Sequence, residues 1–344
     1  MLKKIGFFIL VLLGLLLLGY FLGPKAPVPQ LAAKLPTVPS DLVALEAQIN
    51  QSELQFSNIR PDNQARIEWY NPQQKEKTAY SIVYLHGFSA SLGEGDPVHR
   101  DFAQRYGCNL YLSRLAEHGI SQKDAMLKLT PENMLQSAKE AIAIGKQIGE
   151  RVIVMSCSTG GTLGLYLAAA HPELEALICY SPNIDLYDPA SALLTGPWGK
   201  EILSYMMGSE YYQVKHLPPG SEQYITSQYR IEAIVALKSL INATMTEATF
   251  RKIKQPLFLG YYYKNEEEQD KVVSIPRMLE MFEQVSTPAN LKVKHAFGNA
   301  GNHVLPSPVW SNDIAGVKAK TFEFAENVLD LKPVLIPARL ELEE

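Results

Sequence analysis

The segment at residues 151–170 constrains the fold more than any other part of this 344-residue sequence. After Arg151, residues 152–155 form an uninterrupted apolar run, which is typical of a strand that is covered by helices on both faces. The chain then passes through Ser158 into a segment that is rich in small residues, 159–170, and that predicts a helix. A buried strand that turns directly into a closely packed helix indicates a sheet between helix layers.

The remainder of the chain repeats this alternation of strands and helices. Apolar, β-branched runs predict further strands at residues 65–70, 81–85, 109–112, 176–180, 256–263 and 291–297. Helical patterns occupy residues 131–148, 275–284 and 314–329. The alternation breaks between residues 180 and 256, where an aromatic-rich segment shows helical character without a strong strand. We therefore predict an α/β fold with a mostly parallel central sheet and a helical cap inserted at about residues 184–255.

The first 23 residues predict a transmembrane helix. Residues 5–23 carry no charge, and a segment of this length spans the hydrocarbon core of a bilayer. Lys3 and Lys4 precede the segment. The positive-inside rule keeps these lysines cytoplasmic and places the rest of the chain outside the cytoplasm. A cleaved signal peptide is the alternative, with a weak cleavage site at Ala32 and Ala33.

A proline-rich linker follows at residues 24–40 and leads to the folded domain at residues 41–334. The linker holds five prolines, a composition that favours a semi-rigid extended spacer. We expect this spacer to lift the domain off the membrane.

Composition and charge exclude several classes of protein. The net charge of −4 and the absence of a basic cluster argue against a nucleic-acid partner. Three cysteines in a chain of this length do not form a disulfide framework. Neither an HExxH pattern nor paired cysteines occur, so no metal or other cofactor is implied.

Ser158 occupies the position of a nucleophile between the buried strand and its helix. Such a turn is strained and needs small residues two positions before and after the serine, here Ser156 and Gly160. Serine in place of the usual glycine at residue 156 weakens the motif. The N–H of Thr159, at the helix start, is the natural first donor to an oxyanion.

A second oxyanion donor is expected after the strand at residues 81–85. His86, Gly87 and Phe88 form a His-Gly-x turn there, and the position of the Phe88 N–H suits that role. We interpret His86 as a residue that braces the turn.

These segments resemble the α/β-hydrolase superfamily, and in particular capped bacterial esterases and monoacylglycerol-lipase-like enzymes. The resemblance covers roughly residues 67–329, on the motifs LHGFS (85–89), RLAEHG (114–119), SCSTGG (156–161), QDKVVS (269–274) and GNHV (301–304). It implies a triad in the order Ser, acid, His. Ser158 would attack the acyl carbon, His303 would transfer the proton and Asp270 would hold the imidazole tautomer.

Other interpretations of these residues remain open at this point. Asp185 follows the strand at residues 176–180 and is the alternative triad acid. Cys157 adjoins the proposed nucleophile, but it is expected to be a small core residue. A nucleotide-binding loop is disfavoured because GxGxxG is absent.

The resemblance implies a serine hydrolase that cleaves carboxylic esters, with an acyl ester and possibly a lipid as substrate. Together with the N-terminal apolar segment, it leads us to expect a membrane-anchored, extracytoplasmic enzyme. Two alternatives stay open. An acyltransferase would use the same triad, and a non-catalytic binding protein would retain only the scaffold.

Overall fold

The strands and helices follow one another along residues 2–215 and 217–334, the part of the chain that the computed structural model describes. The strands are β1 (Arg66–Glu68), β2 (Thr78–Leu85), β3 (Asn109–Leu112), β4 (Gly149–Cys157), β5 (Ala176–Tyr180), β6 (Tyr211–Gln213), β7 (Gln228–Arg230), β8 (Leu257–Tyr261) and β9 (Lys292–Ala296). The helices are α1 (Leu2–Phe21), α2 (Leu42–Leu54), α3 (Val98–Arg105), α4 (Pro131–Ile148), α5 (Thr159–Ala170), α6 (Gly199–Met207), α7 (Ile231–Thr244), α8 (Glu247–Phe250), α9 (Ile275–Gln284) and α10 (Ile314–Asn327).

A seven-stranded sheet forms the centre of the domain. Its strand order is β1-β3-β2-β4-β5-β8-β9, and only β1 runs antiparallel to its neighbour. Helices α2, α4, α5, α7 and α9 contribute to the core on one face of the sheet, and α3 and α10 contribute to the core on the other. The predicted α/β fold with a mostly parallel sheet is therefore confirmed.

Local sequence signals explain where the elements begin. Thr130 accepts a hydrogen bond from the Asn133 N–H at 3.2 Å, and the Asn133 side chain accepts one from the Thr130 N–H at 2.9 Å. This reciprocal pair satisfies N–H groups that a helix start leaves without partners, and Pro131 is already set for the first turn. Helix α4 thus begins and ends where the sequence pattern predicts.

The cap differs in one respect from the predicted helical insertion. Between β5 and β8 the chain forms a 3-10 helix (Pro189–Thr195), α6, α7 and α8, but also the antiparallel pair β6 and β7. Each of these strands has three residues, too few for an alternating pattern to stand out in the sequence. Tyr212 of β6 and Tyr229 of β7 stack with ring centroids 5.4 Å apart.

The linker packs against the folded domain. Its backbone carbonyls at Leu31, Ala32 and Ala33 accept hydrogen bonds from side chains of the domain at 3.4, 3.1 and 2.8 Å. Extended, proline-rich backbone makes no hydrogen bonds within itself, so its carbonyls are free for such contacts. The linker is therefore a strap that lies along the domain surface.

Within residues 2–215 and 217–334, one helix is long and apolar enough to cross a membrane. It spans Lys3–Phe21 within α1, and none of it is buried in the rest of the chain.

Candidate active site

Ser158 lies at the sharp turn between β4 and α5. Its backbone has φ 51° and ψ −117°, a left-handed conformation that costs free energy for a residue with a side chain. The turn is held by hydrogen bonds from the Ser158 N–H to the Tyr180 carbonyl at 3.0 Å, and from the Asn183 N–H to the Ser158 carbonyl at 2.9 Å. The surrounding structure thus fixes a strained serine at the carboxyl edge of the sheet.

Small residues let α5 approach the sheet at this turn. A Cβ atom at Gly160 would lie 1.9 Å from the Leu85 carbonyl oxygen, and one at Gly161 would lie 2.6 Å from Pro182 Cβ. The Ser156 hydroxyl is fully buried and donates to the Ile178 carbonyl at 3.4 Å. Serine at this position is therefore accommodated with a hydrogen-bond partner.

Asp270 and His303 lie together in the loops that follow β8 and β9. The imidazole Nδ1 of His303 is 2.5 Å from Asp270 Oδ2. The other carboxylate oxygen of Asp270 accepts hydrogen bonds from the N–H groups of Val272 and Val273 at 2.8 and 3.1 Å. A buried carboxyl group with this set of hydrogen bonds fixes the orientation of the imidazole.

The pKa of His303 is higher in the protein than its ordinary value in water. Burial opposes the charged ring, but the Asp270 carboxylate outweighs this effect and raises the pKa of His303. Within the described residues, the Nε2 atom of His303 is buried and has no hydrogen-bond partner. That nitrogen is thus available to exchange a proton with another group.

The turn after β2 is braced by His86. The ring Nδ1 of His86 is 2.9 Å from the Gly87 carbonyl, and Nε2 accepts from the Leu115 N–H at 3.0 Å. Burial lowers the pKa of His86, so the ring is neutral with Nδ1 as donor. Both nitrogens are occupied, and the ring positions the backbone of the turn. Among the described residues, the N–H groups of Phe88 and Thr159 have no partner within the chain.

Glu94 lies beside this turn, and the sequence analysis did not single it out. Its carboxyl accepts a short hydrogen bond from the Gly87 N–H and another from the Tyr84 hydroxyl at 3.3 Å. Burial raises the pKa of Glu94 to about 8. A Cβ atom at Gly87 would lie 3.1 Å from Ser158 Cβ and 3.0 Å from the Glu94 carboxyl. Gly87 therefore lies in close packing between Ser158 and the carboxyl group of Glu94.

Two alternative site residues have other partners. Asp185 makes a short ion pair with Lys238, whose side chain is almost fully buried. Cys157 is fully buried, and burial raises the pKa of its thiol far above the ordinary value. A protonated, inaccessible thiol is a poor nucleophile. The roles of Ser158, Asp270 and His303 stay predictions, and these contacts favour them over the alternatives.

Comparison with curated proteins gives relatives with several activities. The chain is 30% identical over 136 residues to a thermostable monoacylglycerol lipase from Bacillus sp. strain H-257, covering 39% of this chain and 52% of the lipase. The match thus spans about half the length of that relative. The chain is also 26% identical over 213 residues to a 2-succinyl-6-hydroxy-2,4-cyclohexadiene-1-carboxylate synthase from Salmonella schwarzengrund, covering 56% of this chain and 79% of the synthase. No family model matches the sequence.

Comparison with solved structures identifies the fold. A metagenome-derived lipolytic enzyme superposes with a TM-score of 0.62 at 16% identity, covering 77% of this chain and 98% of that one. A monoacylglycerol lipase from Paleococcus ferrophilus superposes with a TM-score of 0.52 at 12% identity, covering 72% of this chain and 95% of that one. Identities this low show a shared fold alone. By its sheet topology and these likenesses, the chain has an α/β-hydrolase fold and resembles esterases and monoacylglycerol lipases.

Proposed function

We propose that this protein hydrolyses carboxylic esters through an acyl-enzyme on Ser158. The observation that carries the proposal is the imidazole of His303, which is held by Asp270 through Nδ1 and whose Nε2 has no hydrogen-bond partner among the described residues. The strained serine at the same edge of the sheet supplies the nucleophile. The relatives named as lipases support ester hydrolysis at the level of the family.

In the proposed reaction, Ser158 Oγ attacks the acyl carbon while His303 Nε2 takes the hydroxyl proton. Asp270 stabilises the resulting imidazolium and keeps the ring in the productive orientation. The N–H groups of Phe88 and Thr159 donate to the oxyanion that forms on the former carbonyl oxygen. His303 then returns the proton to the leaving alcohol, and water releases the acid in a second round of the same steps.

Labelling of the full-length chain with a fluorophosphonate tests this proposal. We expect an adduct on the peptide that contains Ser158, and its loss in Ser158→Ala. Ser156→Ala and Cys157→Ala are matched controls, since both side chains are buried next to the turn that holds Ser158. Both substitutions should leave labelling intact. An adduct that persists in Ser158→Ala would refute the assignment. A folded wild-type chain that takes no label would favour a non-catalytic binding protein.

Acyl transfer is the second candidate reaction, because an acyl-enzyme also reacts with alcohols or amines. The synthase among the relatives illustrates that this fold supports reactions other than hydrolysis. Product analysis with and without an acceptor alcohol distinguishes the two. Free acid as the sole product under both conditions would exclude the transferase.

We further propose that α1 anchors the protein in a membrane with the domain outside the cytoplasm. Its apolar length and the preceding Lys3 and Lys4 support this orientation. Protease treatment of sealed cells should digest the domain only when it faces outward. Protection until the membrane is permeabilised would reverse the proposed orientation.

A further inference from the structure

Thr159, the residue after the proposed nucleophile, carries a hydroxyl that has no hydrogen-bond partner among the described residues. The residue is 1% exposed, so bulk solvent does not reach this hydroxyl. A buried hydroxyl of this kind has given up its hydrogen bonds to water without replacing them, which lowers the stability of the fold. Because such groups are rare in folded proteins, one that lies beside a proposed nucleophile indicates a role in the reaction.

Every other buried threonine that the structure describes makes a hydrogen bond with its hydroxyl. Thr244 and Thr321 donate to the carbonyl four residues earlier in their helices, at 2.6 and 2.7 Å. Thr162, in the same helix as Thr159, donates to the Asn183 carbonyl at 2.6 Å. The hydroxyls of the remaining three also have partners: Thr226, Thr249 and Thr287. The unpaired hydroxyl is therefore particular to the position next to Ser158.

The place of Thr159 at the start of α5 explains the missing partner. A threonine inside a helix can bond the carbonyl three or four residues earlier. For Thr159 those residues are Ser156 and Met155, which belong to β4 and pair with the neighbouring strands of the sheet. The hydroxyl is left unpaired because the strand turns directly into the helix at Ser158.

The hydroxyl lies close to the place where the oxyanion would form. Covalent geometry keeps Oγ1 within about 4 Å of the Thr159 nitrogen in every staggered rotamer. The N–H on that nitrogen is the first proposed oxyanion donor, and it has no partner within the described part of the chain. Two unpaired donors on one residue, adjacent to Ser158, can therefore meet the same oxygen atom.

An oxyanion satisfies such donors better than the carbonyl oxygen of a bound ester does. Hydrogen bonds to a charged acceptor are about twice as strong as those between neutral groups. A donor that is unpaired in the resting enzyme and paired in the transition state lowers the barrier without tightening the binding of the substrate. The buried hydroxyl has already lost its water, so it needs no further desolvation when the charge develops.

We propose that the Thr159 hydroxyl donates a third hydrogen bond to the oxyanion, beside the N–H groups of Phe88 and Thr159, and is thus a further catalytic residue. The inference rests on the proposed ester hydrolysis through Ser158. The hydroxyl keeps its proton throughout, so the proton transfers between Ser158 and His303 are unaltered.

Thr159→Val in the full-length chain tests this role, because valine keeps the shape of the side chain and removes the hydroxyl. We expect kcat on a water-soluble ester to fall about 100-fold with KM unchanged. The Tm should rise by about 1–3 °C, because an unsatisfied buried hydroxyl has been removed. Thr159→Ser keeps the hydroxyl and should retain kcat within about threefold. If Thr159→Val does not fold, Thr159→Ala removes the same hydroxyl from a smaller side chain.

Thr287→Val is the matched control. Thr287 is 4% exposed, and its hydroxyl donates to the Gln255 carbonyl at 2.8 Å, at the sheet edge opposite Ser158. Its replacement removes a paired hydroxyl, so Tm should fall and kcat should be unchanged. A loss of kcat in Thr159→Val that comes with a fall in Tm as large as that of Thr287→Val would overturn the inference, since it would indicate a structural hydrogen bond.

A trifluoromethyl ketone separates this inference from the proposed hydrolysis. Ser158 Oγ adds to the ketone carbon, its proton passes to His303, and the ketone oxygen becomes an oxyanion that is not released. The Kd of the ketone, measured by calorimetry, should rise about 100-fold in Thr159→Val and stay within about threefold of the wild type in Thr159→Ser. An unchanged Kd and kcat in Thr159→Val would overturn the inference and leave a water molecule as the partner of the hydroxyl.

The two proposals fail in different ways. If the unaltered chain hydrolyses no ester, the proposed function is refuted, while the Kd of the ketone still decides whether Thr159 holds an oxyanion. A folded wild-type chain that binds no ketone would overturn the inference together with the oxyanion site on which it depends.

Discussion

Gly160→Ala is expected to separate the two donors of the proposed oxyanion hole. A Cβ atom at this residue would lie 1.9 Å from the Leu85 carbonyl oxygen and 2.8 Å from that of His86. Real Cβ atoms essentially never come closer than 3.0 Å, so the start of α5 and the end of β2 must move apart by at least about 1.1 Å. Thr159 belongs to the first of these segments and Phe88 follows the second.

The displacement gives the expected magnitudes. A misplacement of about 1 Å in a catalytic arrangement costs about 10²-fold in rate, so kcat/KM on a soluble ester should fall about 100-fold. The strain should destabilise the fold by about 1–3 kcal/mol. The better helix propensity of alanine offsets about 0.5–1 kcal/mol of this. Esterase kinetics and urea denaturation measure the two effects.

Gly164→Ala is the matched control in the same helix. A Cβ atom there would lie 3.3 Å from Val154 Cγ1, the end of a side chain that can yield slightly. This variant should keep its activity and gain up to about 1 kcal/mol of stability. The reasoning fails if Gly160→Ala retains wild-type kinetics and stability, or if both variants lose activity equally.

Three further results follow from the contacts of the site. Asp270→Asn should lower kcat by about 10⁴-fold, because the imidazole of His303 loses its orienting acceptor. Asp185→Asn should lower Tm and leave kcat within about threefold of the wild type. The reverse pattern would make Asp185 the acid. The pKa of His303 is raised above its ordinary value of 6.5, and only the neutral ring accepts the serine proton. In the wild type, kcat/KM should therefore fall as the pH drops through this pKa. An acid limb of the pH profile centred below 6.5 would contradict this. Glu94 has a pKa of about 8, so its ionisation at higher pH places a negative charge beside the developing oxyanion. Glu94→Gln should therefore abolish a loss of kcat/KM above about pH 8, and an unchanged alkaline limb would assign that loss to another group.

Local signals were sufficient to predict much of the fold. The boundaries of α4 and α5 agree with the sequence pattern because Thr130 and Ser158 each mark a helix start through their own backbone geometry. The pairing of Asp270 with His303 agrees with the order Ser, acid, His that the resemblance implied. Strand order alone left Asp185 open, because Asp185 also follows a parallel strand of the sheet. The helix starts depend on residues close in sequence.

Other features depend on packing that the sequence does not display. Glu94 stands in a short 3-10 helix (Leu92–Gly95) without a motif, and its contact with Gly87 depends on how the residues between them fold. The strap is similar, since its proline content predicts an extended chain but not the surface on which that chain lies. No sequence pattern predicts either the position of Glu94 or the path of the strap.

The backbone of Ser158 sets a limit on how stable this fold can be. A side chain at φ 51° costs about 1–3 kcal/mol, and glycine adopts such angles without that penalty. Ser158→Gly should therefore melt at a higher temperature than the wild type while losing the proposed nucleophile. If the proposed chemistry is correct, selection for activity has kept the chain below the thermal stability that its own scaffold permits.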